Sequence, residues 1–278
     1  MPELPEVETV CRGLADALIG DQFTTVTLRR ENLRFPFSEG FAAAMTGQKI
    51  EAIRRRAKYI LMLLEGGTVM IGHLGMSGSF RIERNPDPAS PFDKHDHIIF
   101  ETANGLRVRY HDPRRFGFML LTTSDMLETH PQLSGIGPEP LGNEFSGPVL
   151  ADRLKGRKTP IKIALLDQKI VAGVGNIYAC EALYRSGISP KRLAENVTGR
   201  RADTLAAAIR AVLEEAIESG GSTLRNYSHT DGELGYFQHR FLVYDKEDTP
   251  CSKAECPGII KRITQSGRST FYCPKCQR

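Results

Sequence analysis

Four of the six cysteines crowd the end of the chain. Cys251, Cys256, Cys273 and Cys276 read as C-x4-C, then sixteen residues, then C-x2-C. That spacing suits two knuckles holding one zinc through four thiolates, with the sixteen-residue insert long enough for a hairpin. Such a site is closed, with no open coordination position, so its metal is structural. Two disulfides are the alternative, disfavoured in a reducing compartment. A stretch this short has little core of its own, so its fold depends on the metal. Cys11 and Cys180 lie in helix-like patterns and read as small buried apolar residues. Within 251–278, Lys253, Lys261, Arg262, Arg268, Lys275 and Arg278 face Glu255 alone, so the chain's net charge of +4 resides in this tail and the remainder is about neutral. The tail is a modest pointer to a polyanionic partner.

The 278 residues are 25% charged and 40% hydrophobic, which excludes wholesale disorder and fits one large domain or two to three small ones. No apolar run approaches the ~20 residues needed to span a bilayer, and no basic-then-apolar leader is present, so the cytoplasm is the default location. The fold class is α+β. Apolar Val7, Val10, Leu14 and Leu18 predict a helix over 3–19, stopped by Gly20. Short β-like runs follow at 24–28, 58–64, 68–74, 98–101, 106–110 and 116–121, with Gly66-Gly67 and Asn104-Gly105 as hairpin turns. These predict an N-terminal β-sandwich with flanking helices, one of them at 41–45, and a proline-rich loop over 85–91. Domain boundaries are placed at 1–137 for the sandwich, 138–147 for a linker, 148–240 for a helical domain and 241–278 for the zinc finger. Helical periodicity supports the third of these at 149–155, 161–167, 176–184 and 201–217. Gly173 and Gly175 let the backbone approach something closely, either a phosphate at a helix start capped by Asn176 or simply a packed neighbour.

At the other end, removal of Met1 would leave Pro2 as a free secondary amine. Its pKa near ~8, against ~10.4 for lysine, leaves far more of it unprotonated at neutral pH. Attack on a carbonyl-like carbon gives an iminium that is already cationic, with Glu3 and Glu6 as nearby acids. Taken alone, Pro2 and Pro5 can equally be read as helix starters whose first turn favours acids.

Five stretches together carry a resemblance. Met1 through Thr9, His73-Leu74-Gly75-Met76-Ser77-Gly78, Asp112-Pro113-Arg114-Arg115-Phe116-Gly117, Gly173 through Tyr178 and Gly267 through Cys273 resemble formamidopyrimidine-DNA glycosylases, in the family's order and across essentially the whole chain. The resemblance implies a β-sandwich, a helix-two-turn-helix domain and a zinc finger, with double-stranded DNA bound between them by a monomer associated with the nucleoid. One departure is the first knuckle, C-x4-C here and C-x2-C in many relatives.

The resemblance further implies excision of oxidised purines, chiefly 8-oxoguanine opposite cytosine and formamidopyrimidines, followed by strand cleavage. Reaching the sugar carbon requires the nucleotide to be flipped out. Met76, Arg114 and Phe116 match the residues that fill the gap: an apolar plug, a cation for the orphaned base and a stacking wedge. Pro2 matches the nucleophile that forms an imine from which both phosphates are eliminated. Glu3 matches the general acid for ring opening and Lys58, at a strand start, the lysine near the elimination site. Glu6 orients the terminus or the damaged base. His95, Arg157, Lys162, Asn176 and Arg268 match DNA-backbone contacts, Arg268 also as a proton donor in the second elimination. The polar segment 220–235, with Ser222, Thr223, Asn226, Tyr227 and Ser228, corresponds to the family's loop over the flipped base. Two alternatives stand beside this. One is the pyrimidine-directed endonuclease VIII, whose usual Pro-Glu-Gly-Pro-Glu start is unlike Leu4 here. The other is a DNA-binding protein without chemistry, which Pro2, Glu3 and Lys58 together argue against.

Overall fold

The computed structural model describes residues 1–87, 89–222 and 235–278. The chain divides into two compact units, 1–134 with 219–236, and 135–218 with 237–278.

The first unit begins with helix α1 (Leu4–Leu18), which buries Leu4, Val7, Val10, Leu14 and Leu18 on one stripe. Each such side chain contributes about 2 kcal/mol on burial. Eight strands follow: β1 (Phe23–Leu28), β2 (Ile50–Arg56), β3 (Tyr59–Leu64), β4 (Thr68–His73), β5 (Ser79–Arg84), β6 (Asp96–Thr102), β7 (Leu106–His111) and β8 (Phe118–Thr123), with short helix α2 (Phe41–Met45) between the first two. They form two antiparallel sheets, ordered β1-β6-β7-β5 and β2-β3-β4-β8. Phe23, Phe80, Ile98, Phe100, Val108 and Tyr110 from the first sheet share a core with Ile50, Ile60, Met62, Met70 and Met119 from the second, which makes the pair a sandwich.

Several sequence expectations shift here. Strands β2 and β5 carry no clear β signal in the sequence because their charged residues, Arg54 to Arg56 on one and Arg81, Glu83 and Arg84 on the other, leave few apolar positions. Lys58, expected to start a strand, lies with Ala57 in the turn between β2 and β3, where Ala57 takes φ +52°. The strand expected at 116–121 begins instead at Phe118, since Phe116 is exposed.

The second unit holds α3 (Gly147–Leu154), α4 (Ile161–Leu165), α5 (Asn176–Arg185) and α6 (Arg200–Glu218), then a hairpin of β9 (Lys261–Gln265) and β10 (Arg268–Tyr272). Asn176 is not the cap of α5; Gly175 is, and the Asn176 amide turns elsewhere. No described helix is long and apolar enough to cross a membrane. One buried carboxylate organises this unit. Glu181 on α5 is fully buried, and its oxygens accept the backbone N–H groups of Leu242 (3.0 Å), Val243 (3.0 Å) and Tyr244 (2.9 Å).

Removing that acceptor strands three donors, each costing about 1–3 kcal/mol when unsatisfied. Glu181→Ala should therefore lower the unfolding free energy by more than about 3 kcal/mol, and Glu181→Gln, which keeps one carbonyl, by less. Urea unfolding followed by circular dichroism checks both. Midpoints unchanged from the parent would contradict the assignment.

Candidate functional site

Chain termini usually fray, but here the first residues are held. Pro2 is buried while Met1 is 53% exposed. Glu3 and Glu6 form a reciprocal capping box at the start of α1, the Glu3 N–H donating to Glu6 Oε2 at 2.8 Å. The other Glu6 oxygen, Oε1, accepts both the N–H (2.8 Å) and hydroxyl (2.9 Å) of Ser222. One carboxylate thus pins the start of the chain to the residue that precedes 223–234. Thr223, Asn226, Tyr227 and Ser228 lie outside the described residues.

The turn carrying Lys58 is tied to the same helix. Arg55 donates Nε–H to Glu8 Oε2 at 2.9 Å and Nη1–H to the Ala57 carbonyl at 3.1 Å, so a guanidinium bridges α1 and the turn. Cys11 Sγ reaches the Arg54 carbonyl at 3.6 Å, and burial, with Glu8 close by, pushes its thiol up to about 12. Lys58 itself is buried.

Asp112 assembles a second group of residues. Fully buried, it accepts the Ser77 hydroxyl at 2.5 Å through Oδ1 and the Gly117 N–H at 2.9 Å through Oδ2. Ser77 Oγ in turn accepts the Arg114 N–H at 3.2 Å. The Asp112 N–H donates to the His95 carbonyl at 3.0 Å, and its own carbonyl meets His97 Nε2 at 2.8 Å. The loop 74–78, the loop 112–117 and the 93–96 turn are therefore stitched to one residue. Gly75, Gly78 and Gly117 are required by this closeness, because a Cβ on Gly75 would strike the Phe116 and Gly117 backbone and one on Gly78 or Gly117 the Tyr110 hydroxyl. The loops present Met76 (40% exposed) and Phe116 (44% exposed) to solvent, with the Arg114 guanidinium 4.7 Å from the Phe116 ring centroid. Neither Asp112 nor Ser77 is singled out by residue type or spacing alone, although both sit within motifs. The signal was there in an acid heading a Pro-Arg-Arg turn that ends in glycine.

Beneath the loops, His73 stacks on Phe118 at 5.2 Å, and its Nδ1 accepts the Gly75 N–H at 3.0 Å. Burial, with Lys58 and Arg34 adding positive charge, pushes it down from 6.5 to about 4. The imidazole is neutral, with its proton on Nε2.

In the second unit, Arg157 reaches Asp167 Oδ2 at 3.3 Å and is partly exposed. Arg268 is exposed at the start of β10, after a turn in which Ser266 and Gly267 both take positive φ. Asn176 Nδ2–H donates to the Ser269 carbonyl at 2.9 Å, joining α5 to that hairpin. Lys162 differs from expectation, because it is fully buried on α4 and offers no surface to a phosphate in this conformation.

The four terminal cysteines converge. Their sulfurs all lie within 4.8 Å of one another, Cys251 to Cys276 at 3.8 Å and Cys256 to Cys273 at 3.7 Å. A tetrahedron with metal–sulfur bonds of about 2.3 Å has edges of about 3.8 Å, so the donor set fits one zinc. Gly258 lies so close behind that a Cβ there would collide with Cys273 Sγ. Cys180 and Tyr184 of α5 pack against Val243, Ile260 and Phe271 around these ligands.

Two outcomes follow from this geometry. Because unfolded histidine takes up a proton near 6.5 and folded His73 only near 4, its contribution is complete above pH 6.5 and lost as pH falls toward 4. That loss is on the order of 3 kcal/mol at most. His73→Gln keeps an acceptor and should flatten that part of a urea-midpoint profile; an equally steep profile in the variant would contradict it. Cys273→Ser should abolish stoichiometric zinc in elemental analysis and unfold 251–278 while strands of the first unit stay protected from hydrogen exchange. Parent protein purified with zinc present but lacking it would exclude the metal site.

Residues 1–119 match the formamidopyrimidine-DNA glycosylase N-terminal domain, 136–228 that glycosylase's H2TH domain and 250–278 the zinc finger found in FPG and IleRS. The chain is 56% identical to the formamidopyrimidine-DNA glycosylase of Beijerinckia indica, covering all of both sequences. It superimposes with a TM-score of 0.90 on Lactococcus lactis Fpg in complex with DNA containing an abasic site (32% identity, 99% of each chain). A mutant of that protein in complex with a Fapy-dG-containing DNA gives the same score at 33% identity and full coverage of both chains. This chain belongs to the formamidopyrimidine-DNA glycosylase family.

Proposed function

We propose that the protein flips oxidised purines, 8-oxoguanine and formamidopyrimidines, out of double-stranded DNA, excises them and cuts the strand by successive β- and δ-elimination. The observation that carries this reading is the held terminus. A segment that would ordinarily fray is buried and fixed through Glu6 on both sides. That is what a nucleophile at the chain start needs, since rate depends on holding the attacking atom in reach.

With Met1 removed, the Pro2 nitrogen is a secondary amine. It attacks the sugar carbon bearing the damaged base, the base leaves, and the ring opens to an imine as Glu3 donates a proton to the ring oxygen. The cationic imine acidifies the C2′–H; that proton is lost and its bonding pair expels the 3′ phosphate, and loss of the C4′ proton then expels the 5′ phosphate, with Lys58 beside the elimination and Arg268 giving a proton in the second. Met76 and Phe116 fill the space left by the flipped nucleotide and Arg114 meets the orphaned base. His95, Arg157, Asn176 and Arg268 take backbone phosphates; Lys162 could do so only after a local rearrangement that uncovers it. The zinc contributes folding of 251–278 and no bond-making. Acting as a monomer, the enzyme would be held at the nucleoid in the cytoplasm by its affinity for DNA.

With Met1 retained, the Pro2 nitrogen is an amide and cannot attack carbon. Intact-mass analysis of active protein should therefore show a chain beginning at Pro2. Borohydride should trap a covalent adduct with an 8-oxoguanine duplex but not with a matched thymine glycol duplex at equal rate, and Pro2→Gly should trap more slowly. An adduct formed by protein that still carries Met1 would move the nucleophile elsewhere, with Lys58 the first candidate.

A further inference from the structure

The segment 29–37 is not used by the reading above. Its tip is well built: Asn32 and Pro36 form an antiparallel bridge, Leu33 N–H donates to the Phe35 carbonyl at 3.0 Å, and Leu33 is buried in the sandwich core. The Arg34 N–H donates to the Gly117 carbonyl at 3.1 Å, joining the tip to the loop that carries Arg114 and Phe116. Phe35 packs on Phe118 at 5.2 Å. Leu33, Arg34, Arg114, Arg115 and Phe116 line one open cavity of about 520 Å³.

Some arginines of the sandwich are neutralised by a carboxylate and others are not. Arg55, Arg107 and Arg109 are each engaged by a carboxylate, Glu8, Glu101 and Glu83 respectively. Among the described residues, Arg34, Arg114 and Arg115 form no ion pair. Arg115 is also held in the left-handed region at φ +55°, its N–H donating to the Asp112 carbonyl at 3.2 Å. A non-glycine residue in that region is strained and persists where its surroundings over-determine it. Three planar, unneutralised guanidiniums around an apolar floor and one aromatic ring suit a nucleotide, because the fork of arginine matches a phosphate bidentately.

We propose that Arg34 and Arg115 bind a backbone phosphate of the undamaged strand, next to the nucleotide left unpaired by flipping. The strand assignment rests on the functional reading above, in which Arg114, lining the same cavity, meets the orphaned base. Arg34 then anchors the strand that is not cut, and the Gly117 link couples that anchor to the wedge.

The test measures binding of Arg34→Gln and Arg34→Lys to three probes carrying a tetrahydrofuran abasic analogue: a duplex, the damaged strand alone, and duplexes with one neutral methylphosphonate placed in turn along the undamaged strand opposite the lesion. Arg34→Gln should weaken duplex binding about tenfold and reduce the magnitude of the log–log salt slope by about 0.9, with no change on the single strand. Arg34→Lys should recover part of the loss. One methylphosphonate position should weaken the parent by a similar factor and leave Arg34→Gln unaffected. Equal losses on single strand and duplex, or multiplicative losses from variant and methylphosphonate at every position, would overturn the proposal. Parent nicking of an 8-oxoguanine duplex is scored in parallel. If the parent nicks but Arg34→Gln binds duplex as tightly, this assignment alone falls; if the parent does not nick, the functional reading falls with it.

Discussion

The Asp112 carboxylate is the interaction on which the presented surface depends. A fully buried carboxylate is costly unless its oxygens are satisfied, and here the satisfaction is structural: Ser77 on one oxygen, the Gly117 amide on the other. Through those partners and its own backbone, Asp112 closes three chain segments that are far apart in sequence. Met76, Arg114, Phe116 and His95 therefore need no order of their own. Each stands on a loop held from below by the same carboxylate, as the proposed contacts with bases and phosphates would require. The glycines at 75, 78 and 117 are the complement of this arrangement, since they allow the loops to approach until no Cβ fits between them.

A second carboxylate performs a comparable task at the terminus. Glu6 spends one oxygen on the Glu3 amide and the other on Ser222, so the start of the chain and the entry to 223–234 share a fixed point. Glu181 does the same for 242–244 in the other unit. In each case a charged acceptor draws several backbone N–H groups, charge-assisted bonds stronger than neutral ones, and holds an irregular segment that no sheet or helix ladder would hold. Zinc extends the principle to 251–278, where four thiolates supplement the small core that Ile260 and Phe271 share with Cys180, Tyr184 and Val243.

Much of this was legible from residue order. The cysteine spacing foretold the metal cluster, Val7 to Leu18 foretold α1, and Gly66-Gly67 placed the β3–β4 turn. Strand β2 was hidden because Arg54 to Arg56 make it look like a polar linker, although Ile50 and Ile53 face the core. Asn176 resembled a helix cap because asparagine commonly is one, yet its amide serves the Ser269 carbonyl of a hairpin some ninety residues later. Lys162 resembled a surface cation; only the packing of α4 shows it buried. Asp112 was least legible. Its sequence neighbours describe an ordinary turn, and the partners that give it meaning come from positions 77, 95, 97 and 117, which only the fold brings together.

The most direct measurement compares Asp112→Asn with the parent on two substrates: nicking of an 8-oxoguanine duplex, and borohydride trapping on a single strand with a preformed abasic site. The amide keeps the shape but cannot accept at both positions, so the loops loosen while the terminus is untouched. Nicking of the duplex should fall at least about tenfold, the equivalent of losing roughly one hydrogen bond's worth of positioning, with trapping on the single strand unchanged within about twofold. Equal losses on both substrates, or none on the duplex, would contradict the role of Asp112 as the residue that holds the loops 74–78 and 112–117 without acting in the chemistry at the terminus.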